Sequence, residues 1–418
     1  MAHLLVVESW VGSMSRLLPK VLGEGGHDFT FLTRDLRHYL RSAPEGADHP
    51  LLTARNVITA PTNDVDALLP QVERLHGVLG FDGVVTSCDY YLPTAARIAA
   101  RLGLPGSTPE AMENACRKDA TRRVLADAGV PGPRFAVCAD GTQAAVAALG
   151  LGYPLVVKPV DLCAGMLVRR VDDERQLAEA CRALADFPYN ARGQRRTSHI
   201  LLEEFLQGPE VSVETVTFRG AVTVVGVTDK SLGGATAFVE TGHMFPAALG
   251  PDDLAAVTAT AVGAGAALGL DDVVAHTEIK LTADGPRVVE VNPRPAGNRI
   301  TELVRHVTGI DLAAACVDVA LGREPALHPR DTGLRSAAIG FLVPDTAGTL
   351  ASFDGAAGVR EADGVLEAQF AEAGRAVEAA DSNNGYLGHI MAGDAAEFGA
   401  RRRVEALLSG VRPRLVRS

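Results

Sequence analysis

The 418-residue sequence predicts an α/β protein with α+β subdomains. Three observations lead there. Short apolar runs alternate with helical stretches through residues 1–108, which implies a parallel sheet with helices on its faces. From His199 onward several strand-like runs follow in succession before a long Ala-rich helix. The length itself allows two to four domains, or one core with attached subdomains.

Along the chain, Leu4–Val7 is a short apolar strand, and Ser9-Trp10-Val11-Gly12-Ser13 is the loop that leaves it. Arg16–Gly23 is helical in pattern, and Phe29–Thr33 is a second strand. Asp82–Ser87 is another strand, and a helix over Pro93–Leu102 closes at Gly103. The first loop lacks GxGxxG, so a dinucleotide reading is weak. Loops at strand ends in such sheets remain natural ligand positions, which makes Ser9–Ser13 and Cys88-Asp89-Tyr90 candidates for substrate contact. Ser107-Thr108-Pro109-Glu110 is a helix start with a hydroxyl cap, a first-turn proline and an acid. A Pro-rich joint near 131–133 opens a new subdomain, in which an apolar strand ends at Lys158 and a helix covers about Asp173–Asp186. The polar, Arg-rich stretch Phe187–Ser198 reads as a mobile surface connection. A last unit of short strands separated by glycines ends in a helix and a basic tail.

Composition excludes several classes of function. The chain is 47% hydrophobic and 22% charged, ordinary values for a globular protein, and its net charge is −11. That charge argues against a nucleic-acid footprint or a polybasic membrane patch. The N-terminus carries no basic segment followed by a long apolar one, so no signal peptide is expected. Six scattered cysteines with no CxxC and no Cys/His cluster predict reduced thiols in a cytoplasm and no structural zinc. Only five of the 40 basic residues are lysines: Lys20, Lys118, Lys158, Lys230 and Lys280. A lysine kept among so many arginines points to a need for a compact ammonium.

The strongest chemical signal lies in two acidic strands. In HTEIKL, Glu278 and Lys280 share a face; in VVEVN, Glu290 and Asn292 share one, with Val289 and Val291 on the other. If the two pair through the turn Thr282-Ala283-Asp284-Gly285, then Glu278, Glu290 and Asn292 converge. Two carboxylates and an amide oxygen form a hard site that suits Mg²⁺ and phosphate oxygens. The bland alternative is a half-exposed hairpin with solvated edge residues. Lys118, Lys158, Lys230 and Arg294 supply the cations that phosphates would need. Glu203-Glu204-Phe205-Leu206, then a turn and Glu210, forms a hinge whose backbone could meet an adenine edge, with Glu210 on ribose hydroxyls.

The ordered set Lys118, Lys158, EEFLQGPE, HTEIKL and VVEVNPRPAG resembles the ATP-grasp superfamily over about residues 85–320. The resemblance implies an ATP-grasp fold with a Rossmann-like pre-ATP-grasp domain at 1–108. An ATP-grasp domain at 109–328 would follow, with a lid subdomain at about 130–198 and a metal-binding subdomain at about 199–328. A small α+β domain would occupy 329–418. It makes Lys118 and Lys158 the nucleotide-phosphate lysines, Glu203 to Leu206 the adenine hinge and Glu210 the ribose acid, with Lys230 beside the nucleotide. Glu278, Glu290 and Asn292 become the Mg²⁺ ligands, and Arg294 faces the reacting carboxyl. The lid Val160–Gly165 departs from the Gly/Ser-rich pattern of many relatives, since it reads VDLCAG. Within the superfamily, VVTSCDYYLPTAARIAARLGLPG, FVETGHMFPA and PRPAGNRI resemble the bacterial L-amino-acid (dipeptide) ligases of the bacilysin type. By that likeness Glu240 and His243 read the first substrate and take part in catalysis, Asp89 is a weaker partner, and Gly297 and Asn298 bound the acceptor pocket. His276 reads as structural.

The implied activity is ATP-dependent joining of a carboxylic acid to an amine through an acyl phosphate, with ATP and Mg²⁺ as cofactors. Two ions are implied, with Mn²⁺ able to substitute. The implied partners are small-molecule acid and amine substrates, without nucleic acid or membrane, and a homodimer is compatible. A biotin-carboxylase-like or purine-biosynthesis-type ligase, a small-molecule kinase of the same fold and a regulator without chemistry stay open at this point. No general base is fixed by the sequence; Glu240, His243 or a phosphate oxygen could serve.

Overall fold

The computed structural model describes residues 1–10, 13–40, 49–233, 238–380, 382–383 and 385–416. Strands Asn56–Thr59, Asp28–Thr33, His3–Val7 and Gly83–Val85 lie side by side in that order, all parallel. His3–Val7 is buried along its whole length, as a central strand covered on both faces must be. The strand order reverses between His3–Val7 and Gly83–Val85, so the loops leaving them open onto one crevice. Ser9 and Ser87 meet there, Oγ to Oγ at 2.9 Å. Val11 and Gly12 of the expected loop lie outside the described residues. Glu8 holds a φ of 53°, costly for a non-glycine residue. Its carboxylate is gripped by the hydroxyls of Thr33, Tyr39 and Thr62 and by the Arg34 amide.

The hydroxyl of Thr108 caps the helix Pro109–Cys116 by accepting from the Ala111 amide. Arg117 is extended, which breaks the helix and makes Lys118 the first residue of the next, Lys118–Asp127. A four-stranded antiparallel sheet follows, in the order Phe135–Cys138, Ile200–Glu204, Leu155–Pro159 and Arg169–Val171. Helices Gly141–Leu151 and Glu174–Ala185 pack on it through Ala144, Leu177 and Leu184 against Leu155, Val157 and Leu202. The sheet of the expected lid subdomain thus extends past about residue 198. Ile200–Glu204 is paired on both edges within this sheet, and its apolar face belongs to this core.

An eight-stranded antiparallel sheet forms the floor of the molecule. Its order is Gly285–Asn292, Val273–Thr282, Glu210–Phe218, Ala221–Gly233, Val239–Phe245, Ser336–Leu342, Gly388–Asp394 and Val365–Phe370. Helix Pro251–Ala267 lays Val257, Ala261 and Ala264 on Val211, Val213, Ile279 and Val288. From the expected C-terminal domain at 329–418, strands Ser336–Leu342, Gly388–Asp394 and Val365–Phe370 continue this sheet. Ile339 and Met391 share one core with Phe245, Ile300 and Leu303. Among the described residues no helix is long and apolar enough to cross a membrane.

The stretch 187–198 also differs from the expected mobile connection. Tyr189 bridges to Arg195, and Asn190 Oδ1 accepts from the amides of Arg192 and Gln194. The Arg192 carbonyl accepts from Arg34 Nη2 at 2.9 Å and Asn63 Nδ2 at 3.0 Å. The polar side chains that mark a solvated segment here fasten a tight turn to the N-terminal sheet unit.

The junction between central and C-terminal strands is narrow. A Cβ added at Gly242 would stand 2.7 Å from the Ile339 carbonyl oxygen across the strand pair. Gly242→Ala must therefore spread these strands, at a cost of about 1–3 kcal/mol. A fall in the thermal midpoint is expected; an unchanged midpoint would show that the junction yields freely.

Candidate active site

Glu278 and Glu290 stand directly opposite each other on the strands Val273–Thr282 and Gly285–Asn292, joined by the expected turn. Like charges in that position repel. Cations from two other elements offset the repulsion. Lys118, at the start of its helix, reaches Glu290 at 2.8 Å. Lys230, from the strand Ala221–Gly233, reaches Glu278 at 2.6 Å and both Glu210 and Glu240 at 3.1 Å. The two carboxyls part company electrostatically. Removal from bulk water, with Glu210 and Glu290 nearby, outweighs Lys230 and lifts Glu278 to about 7. The same desolvation acts on Glu290, but Lys118 overcomes it and holds this carboxyl down at about 2.

A bulge between these strands changes the expected facing. Ile279 pairs with Val288, so Val289 is the extra residue. Val288 and Val291 enter the core, whereas Val289 lines the cavity beside Glu290 and Asn292. The Val289 carbonyl accepts from Arg122, whose Nε donates to Glu203 Oε1 at 2.5 Å. Glu203 Oε2 holds Lys158 at 2.6 Å. All three side chains are nearly sealed from solvent. Burial alone would raise the Glu203 carboxyl; Arg122 and Lys158 together hold it below its usual value. Burial also lowers the Lys158 ammonium, although Glu203 opposes this.

Apart from Arg122, these groups line a cavity of about 640 Å³, whose wall includes all four lysines other than Lys20. At one end lies the hinge. The amides of Glu204 and Phe205 are spent on the carbonyls of Arg134 and Pro154, and the Leu206 amide makes no such bond among the described residues. Gly208 has a φ of +138°, and a Cβ there would sit 1.9 Å from the Leu281 oxygen, so the turn into Glu210 requires glycine. Glu210 pairs with Lys230 and, at 3.4 Å, with Lys280. Over the middle, the Leu162 carbonyl accepts from Lys118 Nζ at 2.7 Å, and Cys163, Ala164 and Gly165 line the wall.

At the far end, Arg294 donates to Asp89 Oδ1 at 2.5 Å, and Trp10 Nε1 donates to Asp89 Oδ2 at 2.5 Å. The two crevice loops of the N-terminal sheet therefore do reach the site. His276 Nδ1 donates to the Arg294 carbonyl, 3.1 Å away, and burial with Arg294 nearby lowers its pKa to about 3. It stays neutral and braces the arginine's backbone. Glu240 is tied by Lys230, His243 and Asn298. His243, expected to face substrate, is 2% exposed and lies behind Glu240, because a bulge at Thr241 brings the two to one side of the strand. Gly297 and Asn298 line the cavity.

Several contributors escaped the sequence reading. Asn383 accepts from the Glu240 amide and from the Tyr386 hydroxyl, and Tyr386 stacks on Phe341, so C-terminal residues shape this end. Arg192 enters the wall from the docked turn. Neither carried a local signal, since both depend on distant segments meeting.

The set Glu278, Glu290 and Asn292 offers oxygen donors only, which fits a hard divalent ion. Among the described residues no group of three or more His, Cys, Asp or Glu side chains is placed to hold a metal by itself.

Comparison with known proteins gives a consistent result. A model described as ATP-grasp domain matches residues 151–302, one described as ATP-grasp N-terminal domain matches 24–106, and L-amino acid ligase C-terminal domain 2 matches 340–416. The uncharacterized protein y4rH of Sinorhizobium fredii is 30% identical over 334 residues, 79% of this chain and 68% of that protein. Human carnosine synthase 1 is 33% identical over 278 residues, 63% of this chain; the chain spans only 33% of that enzyme's length. The crystal structure of an L-amino acid ligase from Bacillus licheniformis superposes with a TM-score of 0.81 at 25% identity, covering 100% of this chain and 99% of that one.

Glu203→Gln leaves Arg122 and Lys158 buried with a neutral partner and should cost about 3 kcal/mol of stability at neutral pH. Because the folded carboxyl sits below its unfolded value, this contribution is complete above that value and is lost as pH falls through the folded one. The gap between wild type and variant, followed by denaturant midpoints, should shrink below about pH 4.5. A gap that stays constant into acid would contradict the pairing.

Proposed function

The chain belongs to the ATP-grasp superfamily, and on that premise we propose that it is an ATP-dependent carboxylate–amine ligase acting on amino-acid substrates. ATP and Mg²⁺ are its cofactors in this reading, two ions with Mn²⁺ an acceptable substitute. The observation that carries it is one continuous cavity. It joins the Leu206 hinge, the Glu278–Glu290 pair with its lysines, and the Arg294–Asp89 end.

The reaction requires a carboxylate to approach a triphosphate, and both are anionic. Lys118 and Lys158 offset the phosphates, and Arg294 orients the carboxyl oxygen that attacks the terminal phosphorus. Mg²⁺ held by Glu278, Glu290 and Asn292 would draw charge from the transferring phosphoryl group. ADP leaves, the amine nitrogen attacks the acyl phosphate carbon, and phosphate departs. Glu240 is a poor base: burial would raise its carboxyl, yet Lys230 and His243 hold it well below the ordinary value. His243 lies off the wall. The departing phosphate is left to take the amine proton.

The match of residues 340–416 to the L-amino acid ligase C-terminal domain favours this reading over a carboxylase or kinase. So does the placement of Asn383 and Tyr386 beside Glu240. A panel of amino acids offered in pairs, scored for phosphate release and product mass, tests it. Phosphate release should need both an acid and an amine, and a dipeptide mass should appear. Turnover that never depends on an amine would defeat the ligase reading.

Glu290→Gln should lower Mg²⁺-dependent turnover about 10²–10³-fold while the far-ultraviolet circular dichroism spectrum is retained. Near-wild-type turnover would remove Glu290 from the metal set.

A further inference from the structure

Every other cation on the cavity wall has a carboxylate partner. Lys118 has Glu290, Lys158 has Glu203, Lys230 has three, Lys280 has Glu210 and Arg294 has Asp89. Arg192 is the exception among the described residues. It is 4% exposed, lines the cavity and pairs with no carboxylate. Its Nε has no hydrogen-bond partner. Its guanidinium lies 5.4 Å from the ring centres of Trp10 and Tyr39, and Nη2 donates to the Ser9 carbonyl. The Cys88 thiol beside it is pushed up to about 12 by burial and offers no charge. Both oxygens of Glu8 are already taken by Thr33, Tyr39, Thr62 and the Arg34 amide. The Glu8 carboxylate is near enough to favour the Arg192 charge but forms no ion pair with it, and the buried Nε is left without a partner, which is costly.

The position is built. Arg34 and Asn63 grip the Arg192 carbonyl, and Asn190 shapes the turn beneath it. Trp10 links Arg192 to Asp89, and Asp89 links to Arg294, where the carboxyl to be activated is held. From this geometry we infer that Arg192 binds the free carboxylate of the amine-bearing second substrate, so that the acceptor is an amino acid and not a simple amine. The inference rests on the ligase reading and adds an acceptor subsite at the crevice of the N-terminal sheet. A nucleotide phosphate would offer the same anionic oxygens, and the test separates the two sources.

L-amino acids and their carboxamides, matched in side chain, are offered as acceptors to wild type, Arg192→Gln and Arg192→Lys. Wild type should prefer the free acid by about 10–100-fold in kcat/KM, the worth of one charge-assisted contact. Arg192→Gln should abolish that preference while the affinity for MgADP stays unchanged, and Arg192→Lys should keep part of it. Titration calorimetry of the same pairs on MgADP-loaded protein reads the subsite without turnover: the acid should bind wild type and not Arg192→Gln. The inference is overturned if the variant keeps the wild-type preference or loses acid and carboxamide use equally. Weakened MgADP binding with the preference intact would assign Arg192 to the nucleotide and also overturn it. Phosphate release without any amide product, alongside an acid-selective binding loss in Arg192→Gln, would place the failure in the ligase reading and not in the subsite.

Discussion

Two carboxylates held face to face on adjacent strands set the constraint that organises this molecule. Glu278 and Glu290 repel, and the fold must deliver cations to them from outside their own hairpin. Lys118 comes from a helix that starts where Arg117 breaks the preceding one, and Lys230 comes from a strand two places away in the sheet. Each cation then acquires further acids: Lys230 draws Glu210 and Glu240 into the same group. The hinge acid, the floor carboxylates and the strand that carries Glu240 are thereby wired to one another. Their charges nearly cancel within the cavity, which lets a dense set of ionised groups persist away from bulk water.

Much of this was legible because it depends on local pattern. Alternation of strand and helix marked the parallel N-terminal unit, and the spacing of Glu290 and Asn292 across a short turn from Glu278 gave their convergence. The sparse lysines pointed to the same cleft, and four of the five line it. What was not legible depends on contacts between distant segments. The turn around Arg192 has the composition of a solvated loop, and only its grip by Arg34 and Asn63 buries it. The side on which Val289 lies depends on a bulge next to the Arg122 contact. A strict period of two cannot anticipate that. The same holds at Thr241, where a bulge brings Glu240 and His243 to one side of their strand.

Pairing also decides how the sheets divide the chain. Ile200–Glu204 reads like the start of the strand-rich region, yet its partners are Phe135–Cys138 and Leu155–Pro159. Ser336–Leu342 reads like the start of a new unit, yet it bonds to Val239–Phe245. Sequence marks where a strand begins; it does not say which sheet will take it.

That last pairing bears on how the chain can be cut. Val239–Phe245 carries Glu240, and one of its two edges is covered only by Ser336–Leu342. A fragment ending before Ser336 would expose the backbone groups of Gly242 through Phe245 as a bare strand edge. Such an edge is a template for another chain. The C-terminal strands thus cover that edge, and a shortened version of this protein would be expected to stick to itself before it failed at chemistry.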